Sequence, residues 1–178
     1  MSRPAVLLDR DGTLNLNPVE YVTSLDDFRP VPGALEAVGK LCRAGWPVAI
    51  ATNQSCIGRG LATAADVERI HEELRRAAAR HGGSFDGIYV CPHAPEEGCS
   101  CRKPLPGLLL EAAKDHDYDL FRSYVVGDSV RDLVAGRAAG ATPLLVLTGH
   151  GEDARGEHPA DRIFPSVVEA VDWILARS

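Results

Sequence analysis

The chain has no hydrophobic run long enough to cross a membrane, and the apolar stretch nearest its start, Ala5 to Leu8, has four residues, too few for a signal-peptide core. It also lacks a basic stripe: 19 Lys and Arg stand against 25 Asp and Glu, for a formal net charge of -6. A nucleic acid or an anionic membrane surface would favour the opposite balance, so neither is expected as a partner. Five cysteines cannot all pair, and an odd count suits a reducing compartment better than a disulfide framework. No internal repeat or low-complexity tract is visible. What remains is a cytoplasmic enzyme or a binding protein for small molecules. With 178 residues, 45% of them hydrophobic, there is material for one sizeable core, so one domain over 1–178 is expected. No oligomeric interface is legible, and a monomer is the expectation.

Short β-rich runs alternate with helical stretches along the chain, the pattern of a parallel sheet with helices on both faces. Strands are expected at 5–8, 47–52, 87–91, 124–126 and 144–148. Helices are expected at 34–44, closed by Gly45, at 66–81, 108–116, 131–139 and 167–176. In the second helix Val67, Ile70, Leu74 and Ala78 keep helical spacing, and the charged residues between them form a solvated face. Asp9, Thr52 and Asp128 then fall at or just past the carboxyl ends of three strands, the edge where open α/β sheets bind ligands.

Asp9 and Asp11 are two residues apart where an apolar run ends. Asp11-Gly12 alone would signal a turn. On an extended chain, however, residues i and i+2 share a side, and two converging carboxylates call for a cation, most simply Mg²⁺. Three further segments supply parts that phosphoryl chemistry needs: Thr52 to Ser55, Arg102-Lys103-Pro104, and Gly127 to Asp132. Asp9 is the natural nucleophile, able to form an aspartyl-phosphate. Asp11 is the acid and base, with its backbone carbonyl on the metal. Asp128 supplies the remaining carboxylate to Mg²⁺, and Asp132, one turn later, steadies it or a metal-bound water. Thr52 and Lys103 provide the donor and the fixed cation that a transferring phosphoryl group requires.

Cys91, His93, Cys99 and Cys101 form a C-x-H-x5-C-x-C cluster within eleven positions. Three thiols and an imidazole saturate a tetrahedral Zn²⁺ without leaving room for water, which makes the expected site structural. Zinc would close the loop from Ala94 to Gly98 and pin Arg102 and Lys103, which follow directly. Cys42 reads as core. Cys56 has no assigned role, and the polar stretch 149–160, with His150 and His158, reads as a solvated loop without chemistry.

These residues resemble the four motifs of the haloacid dehalogenase superfamily of phosphohydrolases: Asp9 to Asn15 (DRDGTLN), Thr52, Lys103, and Gly127 to Asp132 (GDSVRD). The resemblance implies a Rossmann-like parallel sheet, Mg²⁺ and an aspartyl-phosphate mechanism. Members with a cap insert a domain for substrate selection. Here Asp11 and Thr52 are too close for one, so no cap is expected and the zinc loop takes its place. A phospho-accepting receiver domain also gathers acids, a Thr and a Lys at strand ends. It carries its acceptor Asp on a later strand, unlike the Asp9-x-Asp11 order.

The narrower set, TNQS at 52–55, Gly58-Arg59-Gly60, CPH at 91–93 and CxCRKPxPG at 99–107, is similar to the D-glycero-D-manno-heptose 1,7-bisphosphate 7-phosphatase family and its relatives, the histidinol-phosphate phosphatases. The uninterrupted CRKPxPG and short zinc spacing look more like the heptose branch. The resemblance implies substrate contacts from Asn53, Gln54, Ser55, Arg102, Tyr21 and Ser129, and a place in lipopolysaccharide core synthesis. Arg102 suits a distal phosphate, whereas histidinol phosphate would favour carboxylates such as Glu20.

Overall fold

Val6-Leu7-Leu8 is apolar at every position, as a strand covered on both faces must be, and it forms β1 (Val6–Leu8) near the middle of a parallel sheet. The computed structural model describes residues 2–17, 20–157, 159–160 and 162–177; His158 lies outside them. The remaining elements are α1 (Ala34–Arg43), β2 (Val48–Asn53), α2 (Ser55–Gly58), α3 (Ala64–Ala79), β3 (Gly87–Cys91), α4 (Gly107–His116), β4 (Tyr124–Gly127), α5 (Val130–Ala138), β5 (Thr142–Val146), α6 (Gly151–Ala154), β6 (Arg162–Phe164) and α7 (Val167–Leu175). Three single 3-10 turns complete the set. Among the described residues, no helix is long and apolar enough to cross a membrane.

The six strands run in the order β3-β2-β1-β4-β5-β6, and every pairing is parallel. Side chains alternate across the sheet, and the two faces pack separately. Val6, Leu8, Val48, Ile50 and Val126 meet α1, α3 and α7 through Leu35, Val38, Leu41, Ile70, Leu74, Val171 and Ile174. Ala5, Leu7, Ala49, Ala51 and Val125 meet α4 and α5 through Leu108, Leu109, Ala112 and Ala135. Helices thus cover both faces, as the alternation of elements implied. Cys42 packs against the first of these cores.

The boundaries differ where tertiary pairing overrides local pattern. β5 begins at Thr142 rather than 144, because Thr142 and Pro143 continue the ladder with Tyr124 and Val125. Its pairing with β6 starts only at Leu144, so the sheet accommodates Pro143. β6 was not expected: it is three residues long and exposed at Arg162 and Ile163, which leaves no alternation to read. The four-residue helices α2 and α6 were likewise too short to show a period.

The chain lays down β1, β2 and β3 to one side and then returns to place β4 against the other edge of β1. That reversal between β1 and β4 is the switch point at which a parallel sheet opens a crevice for ligands.

Candidate active site

Asp9 follows β1 and Asp128 follows β4, on the two sides of the switch point, while Thr52 lies near the end of β2. The Asp9 backbone N–H bonds the Val126 carbonyl at 2.9 Å, which locks the two strand ends together. Lys103 reaches in from the loop before α4. Its Nζ donates to Asp9 Oδ1 at 2.9 Å, Asp132 Oδ1 at 2.6 Å and the Ala51 carbonyl at 2.7 Å. Asp132 also accepts from the Ser129 backbone N–H at 3.1 Å and hydroxyl at 2.6 Å, at the start of α5. Its contacts therefore hold Lys103 and Ser129, a role the sequence did not suggest.

Carboxylate oxygens of Asp9, Asp128 and Asp132 lie within 4.8 Å of one another, with Lys103 as the ammonium bonded among them. Burial, with Asp132 and Asp11 adding repulsion against the pull of Lys103, raises Asp9 to about 6. Burial and the charges of Asp9 and Asp132 raise Asp128 to about 8. Against its own burial, Lys103 is held above its ordinary value by Asp132 and Asp9. This excess of negative charge with oxygen donors matches a hard divalent cation, so the residues fit Mg²⁺.

Beside this cluster, the chain turns tightly around the Arg10 carbonyl, which accepts from Leu14 and Asn15 at 2.9 Å. Gly12 sits at φ 84°, where a Cβ would collide with the Asp128 carboxylate. The Asp11 carboxylate is held on both oxygens: Arg10 Nε and NH2 form a fork at 2.9 and 2.7 Å, and Gln54 Nε2 adds a bond at 3.0 Å. Gln54 also donates to Thr52 Oγ1 at 2.8 Å, leaving the threonine proton for another acceptor. The fully buried Cys56 thiol lies 3.7 Å from Gln54 Oε1, and burial pushes its pKa up.

A cleft of about 320 Å³ opens over these groups, and Tyr21, Asn53, Gln54, Ser55, Arg102 and Ser129 all line it. Several of them are also engaged within the protein. The Asn53 amide is tied to the Lys103 backbone in both directions, at 3.0 and 3.1 Å, and so positions the lysine. The Ser129 hydroxyl is tied to Asp132. Arg102 donates to the His93 carbonyl at 3.2 Å, which fixes it to the cysteine loop.

The walls also carry Arg59, Arg131 and His150, to which the sequence had pointed weakly or not at all. The stretch from 149 is not simply a solvated loop. The His150 backbone N–H bonds Asp128 Oδ2 at 2.8 Å, Thr148 Oγ1 donates to the Gly12 carbonyl at 2.5 Å, and Gly151 and Ala154 are buried. Gly149 permits this approach, since a Cβ there would fall 2.1 Å from Asp128 Oδ2. The trace this leaves in the sequence is Gly149 itself, which a turn would also explain.

The Cys91, His93, Cys99 and Cys101 donors converge within 4.8 Å. A tetrahedral zinc with Zn–S of about 2.3 Å and Zn–N of about 2.0–2.1 Å separates two sulfurs by about 3.8 Å, and sulfur from nitrogen by about 3.6 Å. Here Cys91 Sγ lies 3.6 Å from both Cys99 Sγ and His93 Nδ1, and Cys101 Sγ lies 3.4 Å from His93 Nδ1. Burial and then the neighbouring sulfurs push Cys101 up to about 12. Burial likewise raises Cys91. Against its own burial, Cys99 is lowered to about 6 by the Arg102 N–H and the Cys91 and Cys101 thiols; the second and third thiolates are the costly ones without a cation, and the donor set fits zinc.

A family model described as HAD-hydrolase-like matches residues 100–170. The chain is 45% identical over 157 residues to a D-glycero-β-D-manno-heptose-1,7-bisphosphate 7-phosphatase of Pseudomonas aeruginosa, covering 88% of each chain. It is 40% identical over 170 residues to the Neisseria meningitidis enzyme of that name, covering 96% of this chain and 90% of the other. Among solved structures it is similar to a D,D-heptose 1,7-bisphosphate phosphatase from Bordetella bronchiseptica complexed with magnesium and phosphate. The TM-score is 0.94 and the identity 40%, over 98% of this chain and 99% of that one. The corresponding phosphatase from Burkholderia thailandensis matches with a TM-score of 0.75 and 35% identity, over 98% and 99%.

Proposed function

The chain belongs to the D-glycero-β-D-manno-heptose-1,7-bisphosphate 7-phosphatase family, phosphoric monoester hydrolases of haloacid dehalogenase-like fold, and on that premise we propose that it removes the 7-phosphate of the β-anomeric heptose bisphosphate through an aspartyl-phosphate. The observation that carries this reading is the meeting of Asp9, Asp11, Thr52, Lys103 and Asp128 in one cleft at the switch point.

Asp9 attacks phosphorus with the oxygen that Lys103 does not hold, and the bond to the sugar O7 breaks. Asp11 gives its proton to O7 as it departs. It then takes a proton from the water that attacks the acyl-phosphate, which frees Asp9 and inorganic phosphate. Lys103 and the Thr52 hydroxyl face the phosphoryl oxygens and stabilise the charge spread over them. Mg²⁺ held by Asp9, Asp128 and the Asp11 carbonyl would supply a fixed positive charge at those oxygens. The Cys91, His93, Cys99 and Cys101 site is structural: a zinc there orders the loop that carries Arg102 and Lys103 and covers the cleft in place of a cap.

The guanidinium groups of Arg59, Arg102 and Arg131 around the cleft suit a substrate with a second phosphate. Glu20, also on the wall, would suit the ammonium of histidinol phosphate. The deciding measurement is phosphate release with Mg²⁺ from both anomers of the heptose bisphosphate and from histidinol phosphate, with Asp9→Asn as the inactive control. The highest kcat/KM is expected on the β-anomer; preference for histidinol phosphate would overturn the substrate assignment and leave the chemistry intact.

A further inference from the structure

Among the described residues Arg10 is the largest side chain with no exposure to solvent, and the mechanism gives it no direct step. A guanidinium cannot shed its charge and has only donors, so burying it is tolerable only where each edge meets an acceptor. Two edges are accounted for: Nε and NH2 grip the two Asp11 oxygens, and NH2 also donates to Gln54 Oε1 at 3.0 Å. The remaining nitrogen meets α3, sixty-one positions away in sequence. Arg10 NH1 lies 3.0 Å from Nε2 of His71, which is itself fully buried.

Because Arg10 can only donate, His71 Nε2 must be the acceptor and the ring proton must sit on Nδ1, 3.5 Å from Glu68 Oε2. The imidazole is neutral: burial, reinforced by the Arg10 charge, holds it down at about 4. Neutrality matters chemically. A carboxylate at this position would compete with Asp11 for the fork and draw it away. A neutral acceptor gives NH1 a partner without that competition.

We propose that His71 is a positioning residue for the reaction: its neutral imidazole gives NH1 of buried Arg10 its acceptor, and the Arg10 fork sets the plane of the carboxylate that protonates the leaving oxygen. The proposal rests on the acid–base reading of Asp11. Its distinctive consequence is sensitivity to the leaving group. A sugar alkoxide needs the proton as it departs, whereas p-nitrophenolate leaves without one, so a tilted Asp11 slows transfer of the phosphoryl group from the sugar to Asp9 and spares transfer from the aryl ester, while hydrolysis of the aspartyl-phosphate, where Asp11 is the base, slows equally for both.

The test compares wild type with His71→Leu and His71→Gln by the single-turnover rate of leaving-group release, which reads phosphorylation of Asp9 alone, on the β-heptose bisphosphate and on p-nitrophenyl phosphate. The Gln carbonyl can occupy the place of Nε2. His71→Leu should lose about 10- to 100-fold in that rate on the sugar, with the rate on the aryl phosphate changed by less than about threefold. His71→Gln should recover most of the sugar rate. If His71→Leu does not fold, His71→Asn, whose amide is too short to reach Arg10, takes its place in the comparison. Equal losses on both substrates, no loss on the sugar, or a Gln variant as poor as Leu would overturn the proposal. Asp11→Asn separates the two readings. If it shows the selective loss and the His71 variants do not, only this inference fails; if it shows none, the acid–base assignment fails and takes the inference with it.

Discussion

At the residue scale, the site is governed by how few cations must serve many carboxylates. Lys103 is shared by Asp9 and Asp132, and Arg10 is committed to Asp11. Arg102, Arg59 and Arg131 therefore remain as the guanidinium groups that line the cleft. Of these, Arg102 is anchored to the His93 carbonyl, which removes part of the entropy cost of presenting it to a phosphate. Replacing it with Ala should lower kcat/KM on the bisphosphate about 10- to 100-fold, with hydrolysis of p-nitrophenyl phosphate changed less than about threefold. Equal losses on the two substrates would show that Arg102 does not read the distal phosphate.

At the element scale, two local devices hold the framework. The first is the start of α3, the helix that carries His71. Asp66 Oδ2 accepts from the Thr63 backbone N–H at 2.8 Å and hydroxyl at 2.6 Å, while Thr63 Oγ1 accepts from the Asp66 N–H at 3.1 Å, a capping box. The Thr63 bonds, with Arg69 beyond them, lower Asp66 to about 2. A depressed carboxyl pKa stabilises fully above the ordinary carboxylate range and loses that contribution as pH falls through the folded-state value. Asp66→Asn should therefore be less stable than wild type in urea at about pH 6, and the gap should close near about pH 2. A gap that persists unchanged in acid would remove the ionised cap as its cause. The second device is the cysteine loop. Purified protein should carry one zinc per chain, and Cys99→Ser with Cys101→Ser should lose it together with most activity, since the same loop delivers Arg102 and Lys103. Full activity in zinc-free wild type would refute the structural role.

At the scale of the whole molecule, the sheet gathers charge that the chain alone does not neutralise. Asp9, Asp128 and Asp132 meet only because β1 and β4 are neighbours. A divalent cation that binds the folded state and not the unfolded chain must then stabilise the fold. At about 100 times its Kd, the gain is about 2.7 kcal/mol, or roughly 5–10 °C in Tm for a chain of this size. Asp128→Asn should abolish most of that rise. An Mg²⁺-independent melting temperature in the wild type would argue against the assigned cation site.

Local pattern was enough to determine the alternation of strands and helices, the parallel sheet covered on both faces, the placement of Asp9, Thr52 and Asp128 at strand ends, and the convergence of the cysteine cluster. These follow from apolar periodicity and from side chains close in sequence, whose spacing a strand or loop converts directly into space. Tertiary structure alone decided the rest. β6 is recognisable only by its pairing with Leu144 to Val146. Asn53 holds the Lys103 backbone, fifty residues away, a contact that no local pattern shows. The Gly149–His150 backbone closes on Asp128, and His71, one polar residue on an amphipathic helix, gives a buried arginine an acceptor. In each case the contact is between backbone atoms or across a long stretch of chain, so its energy depends on where the sheet and α3 place the partners, and residue type alone does not show it.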